Sequence, residues 1–178
     1  MDHQTMINSF KRSVLAPVAD DLYLGNQLAA ESRYHDRRFD HVLTVSHAKA
    51  PLTTVHRPLQ DNERVDQGAF TEAVKTARTL FRPSGSVLIH CAAGISRSPT
   101  VVATALTAER HVRSFELAIE MVRDSRPHVS PHPALLQCAE QYLNESIDRN
   151  AVQGTSLRVR AIRTVREINR WRSTPQKS

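Results

Sequence analysis

Cys91 and Arg97, six positions apart, are the two residues of this 178-residue chain whose types and spacing most clearly suggest chemistry. A loop between a buried strand and a helix N-terminus directs backbone N–H groups and the helix dipole at one point, which favours an anion. A thiol and a planar guanidinium at the two ends of such a loop suit nucleophilic attack on a phosphate that is held bidentately. The segment therefore predicts Cys91 as nucleophile and Arg97 as phosphate clamp. The loop residues predicted to bind phosphate with them are Ala92, Ala93, Gly94, Ile95 and Ser96.

Two further residues complete the predicted site. The hydroxyl of Ser98 can donate to the Cys91 sulfur and stabilise it as a leaving thiolate. The leaving oxygen of a phosphate ester needs a proton from an acid on a neighbouring loop, and Asp61 lies in the polar segment thirty residues before Cys91. Glu63 and Asp66 share that segment, but we expect Glu63 to face solvent and Asp66 to cap the next helix. Asp61 is therefore the predicted general acid.

The spacing of apolar residues predicts the elements that position this site. Residues 86–90 form an apolar strand, typical of a strand buried on both faces, whose end delivers Cys91. Shorter strands are predicted over residues 20–26, where a Gly-Asn turn closes the strand, and over 41–45 and 53–57. Helices are predicted from Gln27, over 69–81, from Ser98, over 114–122 and over 133–143. Strands that alternate with helices predict a single α/β domain over residues 14–146. We expect a central, mostly parallel mixed sheet of about four to five strands, flanked by helices.

The longer motif His-Cys-x-x-Gly-x-x-Arg-Ser over residues 90–98 resembles the signature of small dual specificity phosphatases, within the cysteine-dependent protein tyrosine phosphatases. The likeness extends from Asp20 to Leu143, through an Asp-Leu-Tyr-Leu-Gly-Asn opening strand and the Arg126-Pro127 pair with Gln137. It departs at residues 132–134, His-Pro-Ala, where many relatives carry Asn-x-Gly-Phe, so packing behind the loop is expected to differ.

The resemblance implies hydrolysis of phosphotyrosine and phosphoserine/threonine proteins through a cysteinyl-phosphate intermediate, with no metal or organic cofactor. A phosphatase for phosphoinositides, RNA 5′ ends or carbohydrate is the alternative. Such highly charged substrates usually require additional Lys or Arg inside the loop, and residues 92–96 contain none. A catalytically silent phosphate-binding module is a further alternative, against which the intact Cys91, Arg97 and Asp61 argue.

The net charge of +6 is confined to the end of the chain. Residues 155–178 contain seven Lys and Arg against one Glu, whereas residues 1–154 contain seventeen of each sign. The neutral body gives no reason to expect nucleic-acid binding. Residues 155–172 predict a basic amphipathic helix that docks on the domain, forms a homodimer or binds an acidic partner; an anionic membrane surface is the less favoured alternative.

The remaining candidates for chemistry are Cys138 and the histidines. Cys138 lies on an apolar helical face and is expected to pack in the core, with a reversible disulfide to Cys91 as the alternative. The nine histidines are scattered, so no metal site is expected. Because the sequence shows neither a signal segment nor a membrane-spanning run, we expect a reducing, cytoplasmic location, with the nucleus also open.

Overall fold

A computed structural model describes residues 14–81 and 85–153 of the chain, so the helix predicted over residues 155–172 lies outside the described residues. Five strands form one sheet in the order β1-β2-β5-β3-β4, in which β1 and β2 are antiparallel and every other pair is parallel. The predicted mostly parallel mixed sheet is confirmed. The strands are β1 (Leu15–Ala19), β2 (Leu22–Gly25), β3 (His41–Thr44), β4 (Val55–His56) and β5 (Val87–His90).

Five α-helices accompany the sheet in the described residues, and four of them match helices that the sequence predicts. Asp66 Oδ1 accepts a hydrogen bond from Ala69 N at 2.7 Å and so caps α1, as expected. Ser114 caps α3 in the same way, through Leu117 N. The helices are α1 (Gln67–Leu80), α2 (Arg97–Ala108), α3 (Phe115–Ser125), α4 (Pro133–Leu143) and α5 (Arg149–Gln153).

Two local predictions differ from the structure, and one strand is additional to those predicted. The helix expected from Gln27 is instead a pair of short 3₁₀ helices, Gln27–Ala30 and Ser32–Tyr34, because Glu31 between them has an extended backbone. The strand expected over residues 53–57 is reduced to the two residues of β4. Strand β1 was not predicted. It contains Pro17, which is tolerated because β1 lies at the edge of the sheet.

The two faces of the sheet are both covered, which buries β5 completely. Val87 and Ile89 of β5 join the large core that is formed with α1 to α4, whereas Leu88 packs into a smaller cluster with the first 3₁₀ helix on the other face. Helix α2 lies at the centre of the large core, in contact with α1, α3 and α4. The β5–α2 junction is therefore held from all sides. No helix among the described residues has the length and apolar character needed to cross a bilayer.

Candidate active site

The loop that joins β5 to α2 carries the predicted nucleophile at its base. Cys91 is only 2% exposed. Its Sγ atom accepts hydrogen bonds from the backbone N of Gly94 at 3.3 Å and from Ser98 Oγ at 3.2 Å. Two donors at one sulfur stabilise negative charge there, which a nucleophilic or leaving thiolate requires.

The loop sits directly on the end of β2, and this contact requires glycine at position 94. Gly94 has a φ of +66°, and a Cβ atom there would lie 2.7 Å from the carbonyl oxygen of Gly25. Both the left-handed backbone and the lack of space exclude any side chain. On the same side, Gln27 N donates to the carbonyl of Ala92 at 3.0 Å.

The remaining loop carbonyls are also bonded outside the loop. Arg126 donates to the carbonyls of Ala93 at 3.1 Å and Gly94 at 3.4 Å, and Ser130 N donates to that of Ile95 at 2.9 Å. In a trans peptide the N–H points away from the preceding carbonyl. Because the carbonyls of residues 92–95 face outward, the amides of residues 93–96 face the interior of the loop, where an anion would be held.

Arg126 contacts the candidate site, although sequence reasoning included it only as part of the family resemblance. Its guanidinium is buried, and burial lowers its pKa, while the charge of Cys91 acts in the opposite direction. The contacts join residues more than thirty positions apart, so no local pattern reveals them. Arg126 supports the loop from beneath.

Arg97 and Asp61 meet at the other side of the loop. Arg97 Nη1 donates to the carbonyl of Leu59 at 3.2 Å, and its Nε lies 3.7 Å from Asp61 Oδ2. That Nε is buried and has no hydrogen-bond partner among the described residues. Asp61 Oδ1 accepts a hydrogen bond from Ser96 Oγ at 2.7 Å. The structure thus brings Asp61 to the loop, with its side chain still 36% exposed, and Glu63 faces solvent as expected.

His90, the last residue of β5, lies behind the loop and is fully buried. Its Nε2 lies 2.6 Å from Thr44 Oγ1, which in turn lies 2.6 Å from Thr53 Oγ1. The pKa of His90 is lowered to about 4, chiefly by burial; the hydrogen bond with the Cys91 backbone acts against this, and the charge of His56 adds to it. His90 is therefore neutral near pH 7 and joins the end of β5 to β3.

This pKa predicts a pH-dependent stability. The folded chain holds His90 neutral down to pH about 4, whereas the unfolded chain takes up a proton below about 6.5, so stability present at neutral pH is lost as the pH falls through this window. Between pH 7 and pH 5 the loss from His90 is about 2 kcal/mol. Urea unfolding at both pH values should show this loss in the wild type and a loss smaller by that amount in His90→Gln. Equal losses in both proteins would contradict the assignment.

Cys138 is buried in α4, and burial raises the pKa of its thiol. Both Cys138 and Cys91 are free thiols in the structure. Among the described residues no group of three or more His, Cys, Asp or Glu side chains is arranged to hold a metal ion.

Comparisons with known proteins agree with this geometry. Residues 22–144 match the catalytic domain of the dual specificity phosphatases. Dual specificity protein phosphatase 1B of Arabidopsis thaliana is 29% identical over 145 residues, which cover 77% of this chain and 86% of that protein. Human dual specificity protein phosphatase 26 is 37% identical over 119 residues, which cover 59% of this chain and 56% of that protein.

A solved structure shows the same fold. A crystal structure of a single-site variant of human DUSP28 superposes with a TM-score of 0.64 at 26% identity, covering 74% of this chain and 94% of that one. The family match spans more than half of the chain and includes strands β2 to β5 and the complete β5–α2 loop. The chain therefore belongs to the dual specificity phosphatase family.

Proposed function

We propose that the protein hydrolyses phosphate monoesters on phosphotyrosine and phosphoserine/threonine proteins through a cysteinyl-phosphate intermediate. Membership of the family makes it a cysteine-dependent phosphatase. The observation that carries the proposed cysteinyl-phosphate mechanism is the position of the Cys91 sulfur. It accepts hydrogen bonds from Gly94 N and Ser98 Oγ at the base of a loop whose amides face inward. The unpartnered Nε of Arg97 supplies a donor for a phosphate oxygen.

In the first step the Cys91 thiolate attacks phosphorus, an S–P bond forms and the ester P–O bond breaks. The loop amides and the Arg97 guanidinium stabilise the charge on the transferred phosphoryl group. The bond from Arg97 Nη1 to the Leu59 carbonyl fixes the plane of that guanidinium. Asp61 gives its proton to the leaving oxygen, which departs as the alcohol or phenol of the dephosphorylated protein.

In the second step water attacks the cysteinyl phosphate and inorganic phosphate leaves. Asp61, now ionised, accepts a proton from that water. The S–P bond breaks, and the sulfur leaves as a thiolate that receives the hydrogen bond of Ser98 Oγ. This direct contact supports a role for Ser98 in the second step.

The charge inside the loop supports a substrate with a single phosphate on a protein side chain. Residues 92–96 include no Lys or Arg. The nearby guanidinium of Arg126 donates hydrogen bonds to the loop carbonyls and lies beneath them. Phosphoinositides, RNA 5′ ends and sugar phosphates carry additional charges or hydroxyl groups that these residues do not match, and no observation favours them.

A panel of substrates tests this assignment. We expect kcat/KM for phosphotyrosine and phosphothreonine peptides to exceed that for a phosphoinositide and for a 5′-triphosphorylated RNA by at least about tenfold, because the additional phosphates of the last two substrates meet no Lys or Arg in residues 92–96. Release of inorganic phosphate is measured for every substrate at equal enzyme concentration. A higher kcat/KM for the phosphoinositide or the RNA would replace the proposed substrate class.

A further inference from the structure

Ser96 lies in the phosphate loop, but its side chain is bonded outside the loop. The residue is 8% exposed. Its Oγ accepts a hydrogen bond from the backbone N of His132 at 3.0 Å and donates to Asp61 Oδ1 at 2.7 Å. A backbone N–H can only donate, so it occupies an acceptor position of the Ser96 hydroxyl. The single proton of that hydroxyl is thereby directed to Asp61.

This bond makes the two oxygens of Asp61 unequal. Because Oδ1 accepts the proton of Ser96, a carboxylic acid proton on Oδ1 would oppose that donor, and a protonated Asp61 carries its proton on Oδ2. Oδ2 is the oxygen that lies 3.7 Å from Arg97 Nε. The proton is therefore held on the side of Asp61 that faces the phosphate clamp.

The position of Ser96 is itself fixed by the start of α4. The ring Nδ1 of His132 accepts a hydrogen bond from Ala134 N at 3.1 Å and caps that helix. The capped backbone places the N–H of His132 against the Ser96 hydroxyl. Three separate segments thus meet at the Ser96 Oγ atom: the loop that carries Asp61, the β5–α2 loop and the start of α4.

We propose that Ser96 is a positioning residue that makes Oδ2 of Asp61 the oxygen that donates the proton in the first step and accepts the proton of water in the second. The inference rests on the proposed function, since it requires Asp61 to be the general acid. It assigns to the Ser96 side chain a role separate from the backbone amide of the same residue, which faces the phosphate.

A double-mutant cycle with Ser96→Ala and Asp61→Asn tests the proposal. The substrates are aryl phosphates whose leaving phenols range from strongly acidic to weakly acidic, because weakly acidic phenols depend most on protonation. For the poorest leaving group we expect Ser96→Ala to lower kcat/KM by about tenfold and Asp61→Asn by about a hundredfold, with much smaller losses for the best one. The double variant should be no slower than Asp61→Asn, because Ser96 acts through Asp61.

Thr104→Val is the matched control. It removes another buried hydroxyl at similar volume, one bonded to the Thr100 carbonyl further along α2. Its rates should not depend on the leaving group more than those of the wild type. Should Ser96→Ala fail to fold in a thermal melt, Ser96→Gly removes the same hydroxyl and enters the same cycle.

The outcomes separate the two proposals. If Ser96→Ala slows all aryl phosphates equally, or if the double variant is slower than Asp61→Asn, the hydroxyl only shapes the loop and the inference is wrong. If Asp61→Asn itself shows no dependence on the leaving group, Asp61 is not the acid and the proposed function fails at that residue. Selective loss in both single variants without a further loss in the double variant supports both.

Discussion

Cys91→Ser is expected to lower kcat by at least about 10⁴-fold and to leave the affinity for a phosphotyrosine peptide within about threefold. A serine hydroxyl is not ionised near neutral pH, so no nucleophile is available. In the proposed mechanism the phosphate is held by the inward amides and Arg97, and all of these groups remain in the variant. Phosphate release under single-turnover conditions measures the first effect, and titration calorimetry with the peptide measures the second.

Cys138→Ser provides the matched control for this experiment. It makes the same chemical change at a buried thiol of α4, which has no place in the proposed site. We expect some loss of stability, because a hydroxyl is buried there, and activity within about threefold of the wild type. Turnover by Cys91→Ser within about tenfold of the wild type would contradict a covalent mechanism through this residue.

Arg97→Lys is expected to lower kcat/KM by about 10²- to 10³-fold, through both a lower kcat and a higher KM. Lysine cannot form the bidentate fork, and it replaces a planar group that is oriented by the Leu59 carbonyl and faces Asp61. Arg97→Lys therefore weakens both ground-state binding of the phosphate and stabilisation of the transition state. Steady-state kinetics on a phosphotyrosine peptide separates the two parameters.

Arg78→Lys is the control for the arginine exchange. Arg78 is bonded to Glu109 and to the hydroxyl of Tyr142, on a part of the molecule that contributes nothing to the phosphate loop. The same substitution there should leave kcat/KM within about twofold, even if it reduces stability, since partly exposed ion pairs contribute little. An Arg97→Lys enzyme as active as this control would show that Arg97 is not the clamp.

The parts of this fold that the sequence predicts are those that depend on local spacing. The four residues of β5 are all buried, and a continuous apolar run predicts such a strand. Helix α1 and its cap Asp66 follow from periodicity and from the preference of aspartate for that position. The signature over residues 90–98 could be placed between a strand and a helix for the same reason.

The remaining features depend on tertiary contacts that no local pattern encodes. Proline cannot donate to a neighbouring strand, and the position of β1 at the sheet edge makes Pro17 acceptable there. Arg126 and the side-chain bond from Ser96 to Asp61 join residues thirty or more positions apart. The sequence therefore predicted Ser96 as a phosphate-binding residue but could not predict its hydroxyl bond to the acid.

The contact between the phosphate loop and the end of β2 predicts the order of events during refolding. The loop is held by Gly25 and Gln27 on one side and by Arg126 and Ser130 on another, segments that are distant in the chain. Closing such long-range contacts is slow compared with forming a helix. Helical structure should therefore return before turnover does, and a partly refolded chain would expose Cys91, which the folded chain buries, to oxidation before it can act on any phosphate.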